Sequence, residues 1–240
     1  MDPSNEPQVT GPAVTDRATD TSAASHATPP ARTNWSWVPV RSLSARHRCR
    51  IAAHLMALDS ADRYLRFGYP ATDAQLSKYV DMLDFERDEV FGIFNRRLDL
   101  IAVAHLAHPG DANRAKAMSE FGVSVLPKSR GRGFGKRLFE HAMLHARNRG
   151  VHVLFIQALS ENRAMLKIAA NAGATLKRDG PESEAWLELP DDTIASHVGE
   201  IVEQQAAELD YQLKVRAHQV DAAVAESKSR LRNTEHIADE

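Results

Sequence analysis

The segment Val123-Ser-Val-Leu-Pro-Lys-Ser-Arg-Gly-Arg-Gly-Phe-Gly-Lys136 constrains this chain more than any other part of it. It reads as a strand that runs into a basic, glycine-rich turn and then into a helix. Such a turn presents several backbone N–H groups at a helix N-terminus, a ready site for a phosphate or pyrophosphate. Arg130, Arg132 and Lys136 add positive charge there. Two phosphate-binding patterns fail on spacing. A Walker A loop needs four residues between its glycines and a Ser or Thr after the lysine, whereas Gly131 and Gly135 enclose three and Arg137 follows Lys136. A dinucleotide fingerprint starting at Gly131 would need a glycine where Lys136 stands.

The rest of the chain narrows the class. With 30 Lys and Arg against 32 Asp and Glu, the net charge of -2 argues against nucleic-acid binding through overall charge. The single cysteine, Cys49, excludes an intramolecular disulfide and a cysteine-based metal cluster, and fits a reducing compartment. No apolar run approaches the roughly 20 residues that span a bilayer, and the N-terminus lacks a secretory signal, so the expected location is cytoplasmic, with no membrane partner.

Residues 1–34 are rich in Ser, Thr, Ala, Pro and Asp, which reads as a disordered leader. Residues 35–190 alternate strand and helix signals, the mark of one mixed α/β domain. The expected strands are Trp37–Val40, Glu89–Phe94, Leu98–Leu106, Met118–Leu126, Val151–Ala158, Thr175–Lys177 and Ala185–Leu189. The expected helices are Ser44–Leu58, Asp73–Leu83, Phe134–Arg149 closed by Gly150, and Glu161–Ala172. Asn95, Arg96 and Arg97 separate two apolar runs as a hairpin turn would.

Residues 191–232 read as a long amphipathic helix, and 233–240 as a flexible tail. Val198, Leu209, Val220 and Leu231 recur with an eleven-residue step, as do Val202, Leu213 and Val224, which suits a nearly straight helix. Two readings stay open: a solvated helix partly docked on its own domain, or a helix that makes a homo-oligomer.

Arg130-Gly-Arg-Gly-Phe-Gly135 resembles the Arg/Gln-x-x-Gly-x-Gly/Ala motif of the GNAT acetyltransferase superfamily, whose turn binds the pyrophosphate of coenzyme A. Asn162 and the helix running to Gly173 are similar to that family's second signature. The resemblance covers about Trp37 to Leu189. It implies a mixed, mostly antiparallel central sheet flanked by helices, an α/β (α+β) fold. It also implies acetyl-CoA as co-substrate, without a metal. The cofactor-binding positions carried over are Val123, Ser124 and Val125 on the strand, Arg130, Gly131, Arg132, Gly133, Phe134, Gly135 and Lys136 in the turn, and Asn162. For Asn162, helix capping is an equal and compatible reading.

Acyl transfer to an amine needs the neutral amine, and a lysine with a reference pKa near ~10.4 is almost wholly protonated at neutral pH. Many members of the resembled family keep a glutamate base at the position matched by Glu120. On a period-two strand, Glu120 shares a face with Gly122 and Ser124, where a half-buried carboxylate would have a raised pKa. The plainer alternative pairs Glu120 with Arg114 or Lys116. The family's proton-donating tyrosine is missing, since Ala169 stands at that position, and no argument from sequence brings Tyr64, Tyr69 or Tyr79 to the sulfur. His141 and His145 are spaced one helical turn apart, but with no third ligand evident they read as a solvated helix face. His105 and His108 read as ordinary strand-end residues, with an acceptor groove as the other possibility.

The expected function is N-acetyl transfer from acetyl-CoA to a primary amine, a protein lysine being one candidate, by direct attack in a ternary complex. Arg63-Tyr-Leu-Arg-Phe67 resembles a segment of bacterial protein-lysine acetyltransferases and points the same way. The alternative is an acyl-CoA-binding regulatory or assembly module without turnover. Leu65–Asp73 and His108–Lys116 are the loops expected to shape the acceptor site.

Overall fold

The computed structural model describes residues 38–109 and 118–238, with side chains to Ala225. The expected leader lies outside these residues. Seven strands form one sheet: β1 (Arg41–Leu43), β2 (Glu89–Phe94), β3 (Leu100–Ala107), β4 (Met118–Val125), β5 (Val153–Leu159), β6 (Thr175–Asp179) and β7 (Glu182–Glu188). Their order is β1-β2-β3-β4-β5-β7-β6, and every neighbouring pair is antiparallel except β4 and β5. The sheet is therefore mixed and mostly antiparallel, as expected. Among the described residues the first strand begins at Arg41, past the expected span Trp37–Val40, of which Trp37 lies outside the described residues.

Among the described residues six α-helices accompany the sheet: α1 (Arg48–Met56), α2 (Ser60–Phe67), α3 (Asp73–Asp81), α4 (Phe134–Asn148), α5 (Arg163–Asn171) and α6 (Ile194–Ala238). Their ends are set locally. The Asp59 carboxylate accepts from the Asp62 amide at the start of α2, and Gly68 closes that helix at φ 79°. Thr72 and Gln75 form a reciprocal capping box on α3. Gly150 follows α4 at φ 75°, in the left-handed conformation that glycine adopts at no steric cost.

Alternate residues of the central strands feed two cores. On one face Phe121, Leu106 and Ile156 pack with Leu138, Phe139 and Ala142 of α4 and Leu166 of α5. On the other, Val90 and Val103 pack with Ile51 and Leu55 of α1 and Leu76 and Val80 of α3. The rings of Phe121 and Phe139 meet edge to face, with centroids 5.0 Å apart, and fix α4 beneath β4.

The long C-terminal helix is present and continues to Ala238, so the helix passes Arg232 and takes in most of the expected tail. Its apolar series does not face the domain: Val198, Val202, Leu209, Leu213, Val220 and Val224 are all exposed. The docked face is mixed: Ala207 is buried and the Tyr211 ring meets Phe94 at 5.3 Å, among polar contacts. Ser196 Oγ donates to Asn148 Oδ1 at 2.6 Å, Glu208 pairs with Arg41 at 2.8 Å, and Lys214 donates to the Phe94 carbonyl.

This docking corrects the expectation for His141 and His145, which are buried rather than solvated. His141 Nδ1 donates to Glu203 at 3.0 Å, and that bond, with Arg137 beside it, holds the Glu203 carboxyl down at about 2. His145 Nδ1 lies 3.0 Å from Glu89 and 3.1 Å from Glu200. Burial lowers the pKa of both histidines, and His141 serves as a neutral donor to Glu203 under α6.

Phe121→Ala is expected to lower stability by about 3–5 kcal/mol in urea unfolding, through lost burial and a residual cavity. Met82→Ala, at a side chain 69% exposed, should stay within about 0.5 kcal/mol of the parent.

Candidate active site

The parallel pairing of β4 with β5 is short: Met118 faces Val153, Ser119 faces Leu154 and Glu120 faces Phe155, and there it stops. Both strands continue, β4 to Val125 and β5 to Leu159, so they part beyond Glu120. Between them opens a cleft of about 380 Å³, walled by Glu120–Val123 on one side and Ile156–Leu159 on the other. The end of α2, Tyr79 of α3, and Asn162 and Met165 of α5 complete it. The edge of β4 at Val123, Ser124 and Val125 that faces the gap meets no strand there. An extended amide-bearing chain fits such an edge by backbone pairing.

The glycine turn stands at the end of β4. Gly131 and Gly133 have φ 75° and 77°, and around each the space a side chain would enter is open. Gly133 caps α4 by its carbonyl, which accepts from Arg137 N at 2.9 Å. The amides of Phe134, Gly135 and Lys136 open the helix and lack an intrahelical acceptor. At Gly135 a Cβ would lie 3.3 Å from Ile168, so α4 and α5 approach closely there. The turn fits a pyrophosphate by its backbone donors.

Its side chains contribute less charge than their number suggests. Arg130 pairs with the buried Asp62 of α2, and its Nε donates to the Val125 carbonyl. Lys136 pairs with Glu140, and Arg137 with Glu203. Arg132 is exposed and has no ion pair among the described residues. Asn162 caps α5, its Oδ1 accepting from Met165 N at 3.2 Å, while its Nδ2 donates to the Leu65 carbonyl and ties α5 to α2 across the cleft.

Glu120 lines the cleft but is exposed, not half-buried, because it sits at the last paired position before the strands part. Arg114 and Lys116 lie outside the described residues. Ser124, on the same face, is buried and donates to His54 Nε2 at 2.8 Å, while His54 Nδ1 donates to the Leu100 carbonyl. His54 is thereby a neutral strut between α1 and the sheet, its pKa lowered to about 4 by burial.

A chain of hydrogen-bonded side chains on this face has no counterpart in the sequence analysis. Arg66 Nη2 donates to Tyr79 Oη at 3.1 Å, Tyr79 Oη lies 2.8 Å from His105 Nδ1, and His105 Nε2 lies 3.2 Å from Asp88 Oδ2. Tyr69 and Tyr79 both line the cleft. The inward aim of Tyr79 was readable from Leu76, Val80 and Leu83, which share its helical stripe, but its partners were not. His108 Nδ1 instead bonds Ser119 Oγ at 2.7 Å. Ala169 is wholly buried, so α5 supplies no proton donor at that position. Among the described residues, no three His, Cys, Asp or Glu side chains are arranged to hold a metal ion. No helix is long and apolar enough to cross a membrane, among the described residues.

The sequence profile of the acetyltransferase (GNAT) family matches residues 53–173. A comparison with curated protein sequences finds no match. Among solved structures, the GNAT domain of S. lividans PAT superposes with a TM-score of 0.55 at 24% identity, over 62% of this chain and 89% of that one. An acetyltransferase of the GNAT family from Streptococcus pneumoniae gives 0.51 at 10% identity, over 63% and 98%. RimL, a ribosomal L7/L12 alpha-N-protein acetyltransferase in complex with coenzyme A, gives 0.50 at 14% identity, over 64% and 94%. These likenesses concern the fold.

The His54 strut carries a pH prediction. Its folded pKa of about 4 lies below the unfolded value near ~6.5, so the unfolded chain binds the extra proton between them. Its contribution is complete above the unfolded pKa and falls by about 3 kcal/mol as pH drops through the folded one. Denaturant titrations of parent and His54→Gln between pH 7 and pH 4 should show their stability difference shrinking by that amount.

Proposed function

The chain belongs to the GNAT acetyltransferase family and is an acyl-CoA-dependent acetyltransferase, and on that footing we propose that it acetylates a primary amine, with Glu120 as the base. One observation carries this: the only acidic side chain of β4 that lines the cleft stands where β4 and β5 separate, on the face covered by α2 and α3. Bound acetyl-CoA supplies an electrophilic thioester carbonyl. The chain's own groups do the rest. The amides of Phe134, Gly135 and Lys136, with the turn from Arg130 to Gly133, hold the pyrophosphate; the free edge of Val123, Ser124 and Val125 orients the arm that follows it. Asn162 keeps α5 and α2 at a fixed distance across the cleft. Glu120 takes the ammonium proton of the acceptor, directly or through water, and its exposure lets that proton return to solvent.

Neutralising Glu120 should leave coenzyme A binding intact and remove the base. Glu120→Gln is expected to keep its calorimetric Kd for coenzyme A while kcat with isotope-labelled acetyl-CoA and an amine library falls ~10²- to 10⁴-fold. Full activity in the variant would overturn the role of Glu120, and coenzyme A binding without transfer to any acceptor would favour a module without turnover.

We further propose that the outward face of α6 pairs with a second copy of the chain. The apolar positions 198, 202, 209, 213, 220 and 224 are spaced symmetrically about Tyr211. Two antiparallel copies therefore set Val198 against Val224, Val202 against Val220 and Leu209 against Leu213. At ~1.5 Å per residue the matched stripe is about 40 Å long. Light scattering should give a dimer mass for the parent and a monomer mass for Leu209→Asp combined with Leu213→Asp. A monomeric parent would reject the pairing.

A further inference from the structure

Arg66 is the cationic side chain that lines the cleft. It lines the cleft with Glu120, and among the described residues it has no ion pair; it donates a hydrogen bond to Tyr79 and lies over the faces of Phe67 and Tyr79, at 4.9 and 5.8 Å. Of the nearby acids, Glu120 makes no ion pair among the described residues, while Asp88 and Asp62 are committed elsewhere. Asp88 accepts from Arg87, from His105 and from the His108 amide. Asp62 is taken by Arg130.

The guanidinium is held in place. A Cβ on Gly122 would lie 2.5 Å from its carbon and 2.5 and 2.6 Å from its two terminal nitrogens, so the group lies flat on the strand only because that residue is glycine. On its other side Tyr79 orients it. Burial raises the Tyr79 pKa, so the phenol keeps its proton and donates it to His105 Nδ1, leaving its oxygen to accept from Arg66. His105, in turn, donates from Nε2 to Asp88, which fixes its tautomer. A guanidinium has five N–H donors, and one is accounted for by Tyr79.

Gly122 and Glu120 are two residues apart on one face of β4, so the fork stands about 7 Å along the strand from the base. We propose that Arg66 is an anion subsite for the acceptor, which is an amine carrying a carboxylate or similar anion at about that distance from the reacting nitrogen. Tyr79 and His105 are its positioning residues. The proposal rests on the reading of Glu120 as the base for an amine. The same chemistry arises in a free ω-amino acid and in a protein lysine with an acidic neighbour.

Two measurements test it. The first compares kcat/KM for 4-aminobutyrate with butylamine, and for a lysine peptide flanked by Glu with its Gln counterpart, in the parent and in Arg66→Gln and Arg66→Lys. The anionic acceptor of at least one pair should be favoured about ten- to a hundredfold, and Arg66→Gln should erase that preference while Arg66→Lys keeps part of it. Which pair discriminates tells the free amino acid from the protein. Equal rates within both pairs, or an Arg66→Gln loss shared equally by charged and neutral acceptors, would overturn the subsite.

The second measurement does not depend on turnover. Phenylglyoxal labelling of Arg66 in the parent with coenzyme A bound, read by peptide mass spectrometry, should be suppressed by 4-aminobutyrate or the Glu peptide and not by their neutral counterparts. Protection without any acetyl transfer would sink the assignment of Glu120 and leave the anion subsite standing. Transfer without selective protection would do the reverse.

Discussion

The structure depends on the short register between β4 and β5. Three residue pairs hold the two strands together, and beyond Glu120 each goes its own way. A parallel pair needs a crossover, here α4, and the Phe121–Phe139 contact seats that helix beneath β4. Because α4 starts just past the end of β4, its opening amides and the gap between the strands lie at one end of the sheet. The strand edge, the helix N-terminus and the acidic residue at the fork follow from one break in pairing.

Charge is distributed by the same economy. The basic cluster around the turn looks in sequence like a patch aimed at a ligand, yet Arg130, Lys136 and Arg137 each meet a carboxylate of the chain. These pairs tie the turn to α2, to its own helix and to α6. On the proposed reading, the turn holds its anion chiefly by backbone N–H groups, which a fixed helix start orients without any side-chain entropy to lose. Arg66 is the contrasting case, a guanidinium pinned by a glycine and a phenol and lacking a carboxylate of its own.

The C-terminal helix shows how periodicity can identify a helix and still mislead about its docking. The eleven-residue apolar series marks its outward side. What holds it to the domain is buried Ala207 and the Tyr211 ring against Phe94, together with hydrogen bonds and ion pairs made by Ser196, Glu200, Glu203, Glu208 and Lys214. Their partners on α4, His141 and His145, look solvated in sequence because histidines at that spacing are compatible with water. Phe91, Glu89 and the arriving α6 bury them.

What the sequence determined by itself was local. Strand β2 coincides with its expected span, β3, β4, α3 and α4 fall close to theirs, and the glycines at 131, 133 and 135, with Asn162, mark the turn and the helix cap. Each of these features follows from alternation, helical spacing or a residue's own backbone preference, within a few positions of the chain. The tertiary structure decided where β4 leaves β5, that Glu120 is exposed, and that Arg66, Tyr79, His105 and Asp88 join in one line. Those four residues come from α2, α3, β3 and the loop before β2, and no local pattern encodes a hydrogen bond between segments that only the folded sheet brings together.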